Sequence, residues 1–176
     1  MLFRSRILYG LLNGEPDTLV ERVFAPWPDM EAAMRARDIP LFTLESWRPV
    51  RDFDLLGFSL QYELTYTNLL CLLDLAGIPL RSAEREEIPC PLVIAGGPGA
   101  FNPEPLAEFI DLFFLGEAEE GLPEIVDTIR RGRRQGLKRA ALLRSLSSLA
   151  GVYIPSLFTV EYRDDEIGRA SWRVRV

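Results

Sequence analysis

The chain has 176 residues, 48% hydrophobic and 26% charged, which suits one globular domain large enough to bury a core between layers. Its formal net charge of -6 argues against a nucleic-acid module, which needs a continuous basic face to neutralise phosphates. It contains no histidine, so no imidazole is present for a catalytic triad or for metal ligation.

Two cysteines, Cys71 and Cys90, form no CxxC pair and no disulfide framework, which suits a reducing cytoplasm, the expected location. The longest apolar stretch, Leu69 to Leu80, is interrupted by Asp74 and is too short to cross a bilayer. The start of the chain has charges at Arg4 and Arg6 and no A-x-A cleavage site, so no secretory signal and no membrane partner is expected.

In chain order, residues 6–13 (RILYGLLN) have a helical pattern closed by Asn13-Gly14, with Pro16 beyond. Residues 20–25 (VERVFA) alternate and stop at Pro26-Trp27-Pro28, predicting a short strand. Residues 29–37 (DMEAAMRAR) predict a helix with Met30, Ala33 and Met34 on one face. The mostly apolar run 54–60 (DLLGFSL) predicts a strand buried on both faces, followed by a helix from Glu63 that Gly77 caps. Two more strands are predicted at 92–95 (LVIA), running into Gly96-Gly97-Pro98-Gly99, and at 110–115 (IDLFFL), ending in Gly116-Glu117. Helices follow at about 121–131 and 137–149, then strands at 152–154 and 158–162 that form a tail. The basic run Arg130, Arg131, Arg133, Arg134, Lys138 and Arg139 reads as a solvated link between the two helices.

Strands separated by helices predict an α/β, Rossmann-like (flavodoxin-like) doubly wound sheet, mainly parallel, with helices on both faces. Ligands in such folds bind outside the C-terminal ends of the strands, where strand order reverses. That directs attention to three segments. In Gly96-Gly97-Pro98-Gly99, glycine either lets backbone approach a ligand or is needed only for a turn, and composition does not separate the two. The segment is not a P-loop and lacks GxGxxG spacing. In Gly116-Glu117-Ala118-Glu119-Glu120, most acids serve the start of a helix, and Glu117, nearest the strand, is the one placed to meet a ligand. Ser59-Leu60-Gln61-Tyr62 offers neutral hydrogen-bonding groups, and without histidine or G-x-S-x-G a hydrolase nucleophile has no support there.

The stretches FDLLGFSLQYELTYTN, VIAGGPGAFNPEPLAEF and DLFFLGEAEEGLPEIV resemble the N-terminal cobalamin (B12)-binding-like domain of radical S-adenosylmethionine (SAM) proteins. ILYGLLN, ERVFAPWPDMEA and IPLFTLES extend the resemblance, over residues 7–162, to an uncharacterised bacterial family of B12-binding radical SAM proteins. The resemblance implies an accessory domain that holds a corrin against the C-terminal sheet edge and sinks its nucleotide tail between strands and helices. The positions implied as cofactor-binding are Ser59, Leu60, Gln61, Tyr62, Gly96, Gly97, Pro98, Gly116 and Glu117, with no catalytic or metal-ligating residue. The cobalamin fingerprint DxHxxG is absent, so cobalamin would be held without a protein histidine. The implied partner is a radical SAM barrel of the same parent chain, which would carry the [4Fe-4S] cluster and SAM, and this chain alone is not catalytic.

Two departures from the family shape the expected domain layout. The family's first strand is missing, and no CxxxCxxC motif occurs. Residues 1–6 read as a non-native leader, 7–150 as the cobalamin-binding-like domain, 151–165 as a strand segment leading toward the absent barrel, and 166–176 as a non-native tail of a gene fragment. A fragment without that strand is expected to hold cobalamin weakly. A regulatory or interaction module that has lost the cofactor stays open as the alternative. A nucleotide-dependent enzyme is disfavoured by the missing GxGxxG and Walker spacing.

Overall fold

The computed structural model describes residues 2–162 and 170–174. Three of the apolar runs form strands β1 (Leu55–Ser59), β2 (Leu92–Gly96) and β3 (Leu112–Phe114), with β1 parallel to β2 and β2 parallel to β3. A short β4 (Val152–Tyr153) adds antiparallel to β3 and completes a four-stranded sheet ordered β1-β2-β3-β4. The helices are α1 (Leu2–Asn13), α2 (Pro28–Ala36), α3 (Tyr66–Leu75), α4 (Ala118–Arg134) and α5 (Arg139–Leu146).

The period-two alternation of a strand splits the core into two layers. Val93, Ala95 and Phe113 pack with Met34 of α2 and with Leu69 and Leu73 of α3. Leu92, Ile94, Leu112 and Phe114 face the other way, against Ile125 and Ile129 of α4 and Leu142 and Leu146 of α5. Each such fully buried aliphatic side chain contributes about 1.5–3 kcal/mol over leaving it exposed. Helices therefore cover both faces of a mostly parallel sheet, the Rossmann-like architecture that the strand–helix alternation predicts. The four strands of this sheet run in sequence order, and β1, β2 and β3 bring their C-terminal ends to one edge while β4 runs the other way.

Several expectations are corrected. Residues 20–25 form no strand. Their backbone is held by side chains and loops instead: Val20 N–H donates to Asn13 Oδ1 at 2.9 Å, Arg22 N–H to Glu45 Oε2 at 2.7 Å, and Leu44 N–H to the Arg22 carbonyl. An alternating pattern makes a strand only where a neighbouring strand offers its edge, and here caps supply the partners. Strand β1 is buried along one face and only at its start on the other, since Leu56 and Leu60 enter one core and Leu55 packs on the second, while Gly57 and Ser59 are exposed. The strand at 152–154 joins the main sheet and not the tail, because Val152 and Tyr153 pair with Phe114 and Phe113. The tail proper is a hairpin, in which β5 (Phe158–Tyr162) pairs with β6 (Ala170–Val174). In the basic run, Arg130, Arg131, Arg133 and Arg134 belong to α4 and pair with Asp127, Asp127, Asp54 and Asp17 respectively. Arg139 is not a solvated residue at all, and its side chain is only 10% exposed against Asp111.

Candidate functional site

The parallel register sets Ser59 opposite Gly96 and Gly57 opposite Ile94 at the C-terminal half of β1 and β2. Alternation places Gly57 and Ser59 on the face that Leu56 and Leu60 leave, the face shared with Ile94 and Gly96. A Cβ added at Gly57 would meet only the Ile94 side chain at 3.6 Å, and one at Gly96 only the Phe114 carbonyl oxygen at 3.6 Å. Both are ordinary contacts, so neither glycine is there to relieve a clash. The result is a patch of sheet nearly free of side chains, with one hydroxyl. Ser59 Oγ accepts a hydrogen bond from Gln61 Nε2 at 2.9 Å, which leaves the serine proton available to a ligand.

The loop after β2 is a different case. Gly97 has φ +95°, and a Cβ there would stand 2.7 Å from the Leu60 carbonyl oxygen, while one on Gly99 would stand 3.1 Å from Leu60 Cβ. Gly99 N–H donates to that same carbonyl at 3.0 Å, and Leu60 N–H donates to Gly96 O at 2.8 Å. Of the two readings of the glycines, the turn accounts for Gly97 and Gly99. They let the loop lie against the backbone of its neighbour. Tyr66 of α3 donates from its hydroxyl to Gly99 O at 3.2 Å and pins the loop from the other side, and burial pushes its phenol above the ordinary value.

Ser59, Gln61, Gly96, Gly97 and Pro98 thus gather at the ends of β1 and β2. Leu60 is 2% exposed and contributes its backbone, not its side chain, to that edge. Gly116 and Glu117 follow β3, on the far side of β2 from β1. A Cβ on Gly116 would come within 3.1 Å of the Phe114 ring, and one on Gly121 within 2.1 Å, so both clear space for that buried aromatic. Glu117 is exposed, and its carbonyl accepts from Glu120 and Gly121 N–H as α4 begins, with no side-chain cap bond.

Sequence reasoning singled out Tyr62 but passed over the other apolar side chains around these loops, Leu64 and Phe101. Tyr62 (52% exposed), Leu64 (84%) and Phe101 (75%) stand in solvent on the segments that follow β1 and β2. The available signal was a large apolar residue inside a loop punctuated by glycine or proline, where core packing gives no reason for it. Trp27 is also exposed, beside a cavity of about 320 Å³ that Glu31, Asn68 and Cys71 help to line. Burial and then Glu31 push the Cys71 thiol above its ordinary value, so it is no thiolate nucleophile.

With this geometry in hand, comparison with known proteins is decisive at the level of family. The family described as "Radical SAM proteins, N-terminal" matches residues 5–155. The chain belongs to that family. Its three parallel strands, glycine loop and exposed strand ends are therefore those of an accessory N-terminal domain of radical SAM proteins. A stretch of 86 residues is 33% identical to an uncharacterized protein of Methanocaldococcus jannaschii, covering 48% of this chain and 18% of that protein. This chain thus spans less than a fifth of the relative's length. No solved structure matches the chain significantly. Among the described residues no helix is long and apolar enough to cross a membrane.

Proposed function

We propose that this domain holds cobalamin for a radical SAM barrel of the same parent chain, in the cytoplasm, with the nucleotide tail on the floor of Gly57, Ser59 and Gly96. The single observation that supports it is that floor: a Cβ at Gly57 or Gly96 would meet only one protein atom, at ordinary contact distance, so the bare face is not required by the protein's own packing. The donor set suits a largely neutral ligand. Ser59 offers a hydroxyl proton, Gln61 a side-chain amide, and Gly97, Pro98 and Leu60 a rim of backbone around them. Tyr62, Leu64 and Phe101 supply apolar surface for a corrin face or for the barrel, at about 25 cal/mol for each Å² removed from water. Under this reading Gly116 and Glu117, which follow β3, would meet the polar periphery of the corrin.

When bound, cobalamin supplies a cobalt centre able to carry a methyl group, while the [4Fe-4S] cluster and SAM are assigned to the barrel. This chain's residues bind and orient, and none is assigned a catalytic step. With no histidine, this chain would hold the cofactor through hydroxyl, amide and backbone groups and not through an imidazole. A second reading, a docking module without cofactor, is favoured by Gly97 and Gly99, whose glycine requirement is met by the protein's own turn.

A spectrophotometric titration of the chain with hydroxocobalamin separates the two. The cobalamin reading expects a saturable one-site change that Gly96→Val removes while the circular dichroism spectrum stays the same. No saturable change, or an unchanged titration in the folded variant, would leave the docking module standing alone.

A further inference from the structure

Side-chain alternation continues past the end of β1. Leu60 turns into the core, and Ser59 and Gln61 meet on the opposite side, where Gln61 Nε2 donates to Ser59 Oγ at 2.9 Å. The backbone on either side of Gln61 is fixed. Leu60 N–H donates to the Gly96 carbonyl at 2.8 Å, and the Leu60 carbonyl accepts from Gly99 N–H at 3.0 Å. The Tyr62 carbonyl accepts from Thr65 N–H at 3.1 Å and from Thr65 Oγ1 at 2.7 Å. Gln61 therefore extends from an anchored stretch of chain, and little further freedom is lost in holding its amide on the serine.

The chemistry of the two groups fixes the direction of their bond. An amide nitrogen only donates, so Ser59 Oγ accepts, and a hydroxyl has a single proton to give. That proton points away from Gln61. Among the described residues no acceptor takes it. Ser59 is exposed and stands beside Gly96, on the floor that Gly57 leaves bare.

We propose that Gln61 is a positioning residue, which keeps Ser59 as a donor and so selects a nucleotide-tail group that accepts a hydrogen bond over one that donates. This rests on the cobalamin reading and adds to it a direction of recognition. Gln61→Glu nearly keeps the shape of the side chain and reverses the bond, because an ionised carboxylate only accepts and draws the Ser59 proton to itself. Gln61→Met keeps the length and removes the bond, leaving the serine free to turn. Hydroxocobalamin titrations at neutral pH should give a dissociation constant raised at least about tenfold in Gln61→Glu and about two- to threefold in Gln61→Met, with unchanged circular dichroism spectra. Because Gln61 acts through Ser59, adding Gln61→Glu to Ser59→Ala should change the constant by less than about twofold. A role in shape alone would make the Glu variant the better binder of the two, and repulsion of the ligand by the new carboxylate would act equally with and without the serine. Either result overturns the assignment. A saturable response that Gln61→Glu leaves intact overturns it while the cobalamin reading stands, whereas no saturable response in the unaltered chain ends both.

Discussion

The two ends of the sheet are built on opposite plans. At the C-terminal ends of β1 and β2 the chain presents glycine, a serine and exposed apolar side chains, with little charge. At the N-terminal ends, two arginines and an aspartate are buried and joined across β2, β3 and α5. One end is fastened and the other left bare. A bare end costs little to alter and is available to a ligand, whereas a fastened end carries stability that a single substitution can release.

The sharpest way to break this comparison is Asp111→Ala. It would strand two buried guanidinium groups and is expected to cost about 3–5 kcal/mol, read from urea unfolding. A loss as small as that of a surface substitution would show that the N-terminal end is not fastened as described. The glycine loop gives the next largest effect. Gly97→Ala forces a side chain at φ +95° against the Leu60 carbonyl and should cost about 1–3 kcal/mol. Gly96→Ala meets only ordinary contacts and should stay under about 1 kcal/mol, so equal losses would erase the distinction between turn glycine and floor glycine. Tyr66→Phe removes the hydroxyl that pins Gly99 and should lower stability by about 0.5–1.5 kcal/mol in the same assay.

The smallest effect concerns the clamp on residues 20–25. Burial would raise the Glu45 carboxyl, but hydrogen bonds from the Arg22 N–H and guanidinium outweigh it and hold the group below its ordinary range. Glu21, accepting from Ser46, is lowered too. Carboxyls depressed in the folded state contribute stability above their unfolded values, and that contribution is lost as pH falls through the folded ones. The protection factor of the Arg22 amide, its exchange rate corrected for the intrinsic rate at each pH, should therefore fall on acidification through the carboxylate range. A protection factor that does not change with pH would contradict the clamp.

Much of the architecture was legible because it follows from periodicity. LVIA and LFF are apolar at every position, as a strand covered on both faces requires, and Gly77 with φ +64° ends its helix as its placement predicts. Residues 20–25 misled because alternation reports a half-buried extended chain and not its partners. Gly57 misled in the other direction, since a glycine within an apolar run hides the fact that nothing covers it. Asp111 and Arg139 were invisible as a pair: 28 positions separate them, and each looked like ordinary charge in its own segment. At the candidate site, Ser59 and Gly96 could be chosen from sequence, but their register, and the core position of Leu60, could not.

The central claim is that the bare floor is a binding surface and not an incidental gap. Gly57→Leu tests it most directly, by placing a side chain on that floor where a Cβ meets only Ile94. Titrated with hydroxocobalamin beside the unaltered chain and melted in parallel, the variant should lose the saturable response and keep its unfolding midpoint. A Gly57→Leu chain that binds as well as the original would contradict the account.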